Sequence, residues 1–209
     1  MNNIDRIFYI NLDHRIDRLT EISHELSTHL TPQHYSEKVE RYPAIKCDNG
    51  AMGCSMSHLE VLKIAKARKY RYIIILEDDF QFLIGIDELY AQLANVFATD
   101  SSSLLDFKVI MLSYNALNAG DCGDCGECRD CGDCGEYNDF LSKTTNVQTT
   151  AGYLLNCAYI DQLLENYTKG IQLFKETGEH WKYAIDQYWK KEQNDKWFIF
   201  KTRIGKQRP

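Results

Sequence analysis

The chain has 209 residues, 44% of them hydrophobic and 26% charged, with a formal net charge of −6. This is ordinary globular usage, enough to bury a core without disulfides, and the missing basic excess excludes a surface built to track nucleic acid. The charge is uneven: residues 121–136 hold Asp121, Asp124, Glu127, Asp130, Asp133 and Glu136 against Arg129, which leaves the rest of the chain near neutrality. Five of the eight cysteines, Cys122, Cys125, Cys128, Cys131 and Cys134, fall in the same window, and Cys47, Cys54 and Cys157 are scattered. That is not a secreted disulfide framework. The start, MNNIDRIFYINLDHR, lacks the basic opening, long apolar stretch and cleavage site of a secretory signal. No stretch reaches the roughly 18 apolar residues of a membrane span. The expectation is a soluble, cytoplasmic protein with no membrane span.

In chain order, Arg6–Leu12 is dense in β-branched and aromatic residues and predicts a buried strand. A helix follows over Arg15–His29, with Ile16, Leu19, Ile22 and Leu26 near helical spacing and Pro32 as its breaker. Val39–Ile45 predicts a short strand, and CDNGAMG at 47–53 a turn-rich loop. The next helix is expected to start near Ser55 or Ser57, because Ser57 and Glu60 have capping-box spacing, and to run to Lys69. Tyr70–Leu76, with an unbroken Ile73-Ile74-Ile75-Leu76, predicts a strand buried on both faces, as in a parallel sheet. Further along, a helix is expected at Ile86–Phe97, a strand at Phe107–Leu112 and another at Val147–Asn156. Helices are expected at Tyr159–Tyr167 and His180–Glu192, and a last strand at Lys196–Thr202. The alternation defines an α/β sandwich, in which ligands bind beyond the carboxyl ends of the strands.

Such an end carries Glu77-Asp78-Asp79. Three adjacent acids repel one another and resist burial unless paired. A divalent cation removes the conflict: Mg²⁺ or Mn²⁺ prefers carboxylate oxygens and keeps positions for water and a substrate phosphate. Strand alternation would put Glu77 and Asp79 on one face and Asp78 on the other. The competing reading is a solvated polar turn, which suits two acids better than three.

Three ordered blocks carry a resemblance: Phe8-Tyr9-Ile10-Asn11-Leu12-Asp13-His14-Arg15-Ile16-Asp17-Arg18, Gly53-Cys54-Ser55-Met56-Ser57-His58, and Ile75-Leu76-Glu77-Asp78-Asp79. Thr150–Leu155, Ala184–Trp189 and Ile204–Pro209 extend it across nearly the whole chain apart from the Cys-rich window. Together they resemble glycosyltransferase family 25, which includes bacterial lipooligosaccharide galactosyltransferases and collagen hydroxylysine galactosyltransferases. The resemblance implies a single glycosyltransferase domain over 1–209, interrupted by a Cys/Gly/Asp-rich insertion near 120–137. It implies a GT-A-type nucleotide-binding α/β/α sandwich with a mostly parallel central sheet. It further implies a UDP-sugar donor (UDP-galactose or UDP-glucose), Mn²⁺ or Mg²⁺, inversion at the anomeric carbon, and a glycan or hydroxylysine-type acceptor.

Within that resemblance Asp79 and Glu77 would hold the metal, and Glu77 and Asp78 would also serve the ribose and surrounding shell. Asp186 is the candidate base, with a helix-stabilising role as its alternative. Asn11, Leu12, Arg15 and Arg18 follow the first strand, where the nucleotide would lie. Arginine suits a diphosphate, although Arg15 and Arg18 could equally pair with Asp17 or Glu21 on a solvated helix face. Ser57 and His58 at a helix start would attract an anion, and Lys206 and Arg208 could close over the diphosphate. The Cys triplets lack the gap of a two-pair zinc site, so an acidic surface loop is the expectation. Two alternatives to the transferase are a non-catalytic metal-binding or redox module on that repeat, and an inactive nucleotide-sugar-binding fold.

Overall fold

The computed structural model describes residues 1–98, 106–116, 134–194 and 196–209. The Cys-triplet expectation therefore lies almost wholly outside the described residues. The elements are β1 (Arg6–Asn11), α1 (Ile16–His29), α2 (Pro32–Lys38), β2 (Val39–Pro43), α3 (Gly50–Ala67), β3 (Tyr72–Glu77), β4 (Phe80–Phe82) and α4 (Ile86–Val96). They continue with β5 (Val109–Met111), β6 (Asn115–Ala116), β7 (Cys134–Glu136), β8 (Leu141–Thr144), β9 (Val147–Gln148) and β10 (Gly152–Asn156). Last come α5 (Ile160–Thr177), α6 (His180–Tyr183), α7 (Ile185–Tyr188), β11 (Trp197–Phe200) and β12 (Gly205–Gln207).

Among the described residues one sheet has eight strands in the order β2-β1-β3-β10-β5-β11-β8-β7. Its directions are mixed but mostly parallel: β10 and β8 run against the other six. Helices cover both faces. Ile74 and Leu76 of β3 join the core under α1 and α4 with Ile22, Leu26, Leu89 and Leu93. Ile73 and Ile75 join the opposite core with Leu62 of α3 and Leu163 and Tyr167 of α5. Alternate residues thus enter different cores, which is why the aliphatic run of β3 carries no polar break.

Several expected boundaries move, each for a local reason. Pro32 does not merely end a helix; it starts α2 at the first helical position, where its missing N–H costs nothing, with the Thr31 side chain accepting from His34 N. The helix α3 begins at Gly50, not at Ser55 or Ser57, because Asn49 Oδ1 accepts from Ala51 N and Met52 N. Ser57 is therefore mid-helix and caps nothing; its hydroxyl donates to Gly53 O and accepts from Ile45 N. The 147–156 segment is two strands separated by a turn, with Thr149 at φ 79°. The helix α5 continues ten residues past Tyr167, to a Gly178 in the left-handed conformation. The expected 180–192 helix is broken at Ala184, whose ψ of 151° is extended.

Phe80, fully buried directly after the acids, fixes how β3 turns into β4. Its ring lies where a Cβ on Gly152 or Gly205 would sit, 2.5 Å and 2.1 Å away respectively. Gly152→Ala is expected to destabilise the protein by about 1–3 kcal/mol through overpacking, read as a fall of about 2–4 °C in Tm per kcal/mol. An unchanged Tm would show that Phe80 is not tightly seated.

Candidate active site at the end of the central strand

Strand β3 delivers Glu77 as its last residue, and the chain then turns at Asp78 and Asp79. Alternation stops with the strand, so the expected split of faces does not hold. Glu77 turns one way, while Asp78 and Asp79 share one cation: Arg18 Nη1 lies 3.0 Å from Asp78 Oδ1 and 3.2 Å from Asp79 Oδ2. Asn11, at the end of the neighbouring β1, donates Nδ2 to Asp78 Oδ2 at 2.8 Å and accepts from Arg41 Nη2 at 3.0 Å. The 204–208 segment folds over the same turn. There Gln207 Nε2 donates to Asp79 Oδ2 at 3.1 Å, and Arg208 donates to the carbonyls of Asp79 and Asp78 through its backbone N–H and Nη2.

Asp79 retains a buried Oδ1 with no hydrogen-bond partner. Burial, then the nearby Glu77 charge, push its carboxyl above the ordinary range despite Gln207 and Arg18. A buried anionic oxygen left open beside a second carboxylate is the donor pattern a hard divalent cation completes. Asp79 therefore offers such an ion one open carboxylate oxygen.

On its other side Glu77 accepts from the Thr150 hydroxyl, and its Oε1 lies 3.4 Å from His58 Nε2 and 3.7 Å from Cys54 Sγ. Burial opposes its ionisation, but His58 and Thr150 outweigh that and hold its carboxyl below the usual value. Glu77, Cys54, Thr149, Thr150, Asn115, Asp186 and Gln207 are among the residues lining a cavity of about 200 Å³. Asp186 sits in the first turn of α7, which is positioned by a long-range bond from Ile185 N to Ser55 Oγ at 3.1 Å. Burial and the Glu77 charge raise the Asp186 carboxyl above its ordinary value, against a hydrogen bond from the Thr149 backbone. Thr149 holds a positive φ that β-branched residues rarely adopt. Such strain concentrates at functional sites.

The sequence model of glycosyltransferase family 25 (LPS biosynthesis protein) matches residues 31–189. The chain belongs to that family. No curated protein matches the chain. Among solved structures, a glycosyltransferase involved in glycosylation of the major capsid of PBCV-1 is similar, with a TM-score of 0.53 and 6% identity over 97% of this chain and 91% of that one. The glycosyltransferase GlyE of Streptococcus pneumoniae TIGR4 is similar at a TM-score of 0.50 and 10% identity, over 94% of this chain and 45% of that one. The chain thus spans less than half the length of GlyE. At these identities the likeness bears on the fold, which is the GT-A-like fold of glycosyltransferases.

In this family-25 glycosyltransferase the motif residues do not all converge. Glu77 and Asp186 share the cavity, and Asn11, Arg18, Asp78 and Asp79 form the adjoining charged turn. Arg15 instead pairs with exposed Asp17 at 2.6 Å, half-buried Leu12 only accepts the Arg15 backbone N–H, and Lys206 is exposed on β12. Ser57 and His58 are fully buried behind the cavity. Ser55, Cys54, Thr150 and Gln207 carry site contacts that sequence reasoning missed; Thr150 and Gln207 lie within the motif blocks, but their partners are 73 and 128 residues away. Among the described residues no helix is long and apolar enough to cross a membrane.

Arg18→Met leaves Asp78 and Asp79 without their shared cation. The pair is neither fully buried nor fully exposed, so the expected loss is about 1–3 kcal/mol at neutral pH. Asp79 has a raised carboxyl, so it protonates early on acidification and then no longer needs Arg18. The deficit is expected to shrink as pH falls, measured by urea unfolding at neutral and acidic pH. A deficit constant with pH would contradict the pairing.

Proposed function

We propose that this glycosyltransferase is an inverting hexosyltransferase that moves galactose or glucose from UDP to a hydroxyl of a glycan acceptor. The observation that carries the reading is the cavity walled by Glu77 and Asp186 beside a turn whose Asp79 has an open buried oxygen. Whole small-molecule sites run about 300–1,000 Å³. A cavity of about 200 Å³ suits one sugar ring, with the nucleotide lying outside it. The family's description, LPS biosynthesis, favours a glycan acceptor over a hydroxylysine one.

In this reading the acceptor oxygen attacks the anomeric carbon as the bond to the β-phosphate oxygen breaks, and the electron pair leaves with UDP. The acceptor proton passes to the Asp186 carboxylate. Its raised affinity for protons makes it a better base than a solvated aspartate. Arg18 and Asn11 hold Asp78, Arg18 and Gln207 hold Asp79, and Thr150 and Cys54 orient Glu77. Asp79 and Glu77 would hold a divalent ion, which when bound would supply positive charge near the departing diphosphate.

Asp186→Asn is expected to lower transfer by about 10²–10⁴-fold, measured as UDP release from a panel of UDP-sugars with and without Mn²⁺. The buried carboxylate is harder to ionise when folded, so its ionisation costs stability as pH rises. The Asn variant is therefore expected to keep or raise its Tm at neutral pH. The wild-type acid limb of kcat/KM should also lie above the ordinary aspartate value of about 3.9. Turnover within a few-fold of wild type would remove Asp186 as the base.

A further inference from the structure

We propose that Cys54, His58 and Glu77 form a binding site for one zinc-class divalent ion, with an open fourth position facing the cavity beside Asp186. The site shares Glu77 with the donor reading but does not depend on it.

The geometry is that of a three-ligand site. One donor atom from each residue lies within 4.8 Å of the others. Glu77 Oε1 is 3.4 Å from His58 Nε2 and 3.7 Å from Cys54 Sγ. An ion with tetrahedral bonds of about 2.0–2.3 Å separates its donors by about 3.3–3.6 Å, so little movement is needed to bring all three onto one centre. Cys54 and His58 are four residues apart on α3, which puts them on one face of the helix. The carboxylate arrives from the end of β3.

An independent observation points to a ligand. His58 is fully buried, and its Nε2 has no hydrogen-bond partner although it is aimed at Glu77. Its other nitrogen, Nδ1, is already held by the Tyr153 hydroxyl at 2.9 Å, which itself lies 3.5 Å from the Tyr167 hydroxyl. That is the outer-layer arrangement that fixes the tautomer and orientation of a metal-binding histidine. The Thr150 hydroxyl donates to Glu77 Oε1 and so orients the oxygen that faces His58 and Cys54.

The donor set decides the ion. One sulfur, one imidazole nitrogen and one carboxylate oxygen suit Zn²⁺ and its Co²⁺ surrogate, whereas Mg²⁺ and Mn²⁺ favour oxygen alone. Three protein ligands and an open position are the pattern of an exchangeable ion rather than a closed structural one. Cys54 and Glu77 both line the cavity, so the open position reaches an oxygen of whatever occupies it. On binding, the Cys54 thiol gives its proton to solvent, a sulfur–metal bond forms and a metal-bound water leaves.

The test must silence the thiols of the repeat. In the full chain, Cys122, Cys125, Cys128, Cys131 and Cys134 are replaced by serine, and Co²⁺ is added without nucleotide. The expected result is one equivalent of Co²⁺ with a thiolate-to-cobalt charge-transfer band, displaced by Zn²⁺. Adding Cys54→Ser should abolish the band, and His58→Gln should weaken binding at least tenfold. Circular dichroism of each variant confirms that it is folded. No band in the five-serine protein, or a band that survives Cys54→Ser, overturns the site. UDP release is assayed on the same proteins: release without any Co²⁺ site sinks this proposal alone, and a Co²⁺ site without release supports it while sinking the donor reading.

Discussion

The controlling constraint is electrostatic. A strand whose residues are buried on both faces ends on three consecutive carboxylates, and the fold must keep them near each other without a low-dielectric repulsion that would unfold the turn. It does so by distributing them. Arg18 spans Asp78 and Asp79, Asn11 takes the second oxygen of Asp78, and His58 and Thr150 face Glu77. The compensation is incomplete at one atom, Asp79 Oδ1. That residual oxygen is the atom to which the proposed divalent ion is assigned, next to the strand end whose Glu77 lines the cavity with Asp186.

The turn is held mechanically as well as electrically. Phe80 is driven into the core between Gly152 and Gly205, so the residue after the acids cannot shift without displacing β10 or β12. The β4–β12 pairing then brings Gln207 onto Asp79 and Arg208 onto the backbone of the turn. On the far side of the cavity, Ser55 takes the Ile185 N–H, and the break at Ala184 swings Asp186 into place. Rigid elements thus define both walls, which is what a reaction requiring two aligned groups demands.

Strands β1, β2, β3, β5 and β11 were readable because their β-branched and aromatic density is local information, whereas β4, β8 and β12 are too short or too polar to carry that signal. The acid triplet was readable because three charges after Ile73-Ile74-Ile75-Leu76 contradict everything before them. The start of α3 was misread because Asp48, Asn49 and Gly50 look like a turn, yet Asn49 is an N-cap and Gly53 lies in the helix where a Cβ would meet Ile45 O at 2.4 Å. The break at Ala184 has no local signal; the N–H it frees at Ile185 is taken up by Ser55, 130 residues earlier in the chain. Pairing of Glu77 with Cys54, His58 and Thr150 was equally hidden, since it needs β10 beside β3 and α3 across the sheet. The face assigned to Asp79 failed because side-chain alternation ends where the strand does.

The most direct test is calorimetric binding of UDP to wild type and to Asp79→Asn, each with and without Mn²⁺. If Asp79 Oδ1 receives a divalent ion that meets the diphosphate, Mn²⁺ should tighten UDP binding to wild type at least tenfold and leave the Asn variant unaffected. Equal Mn²⁺ enhancement in both proteins, or none in wild type, would contradict the account.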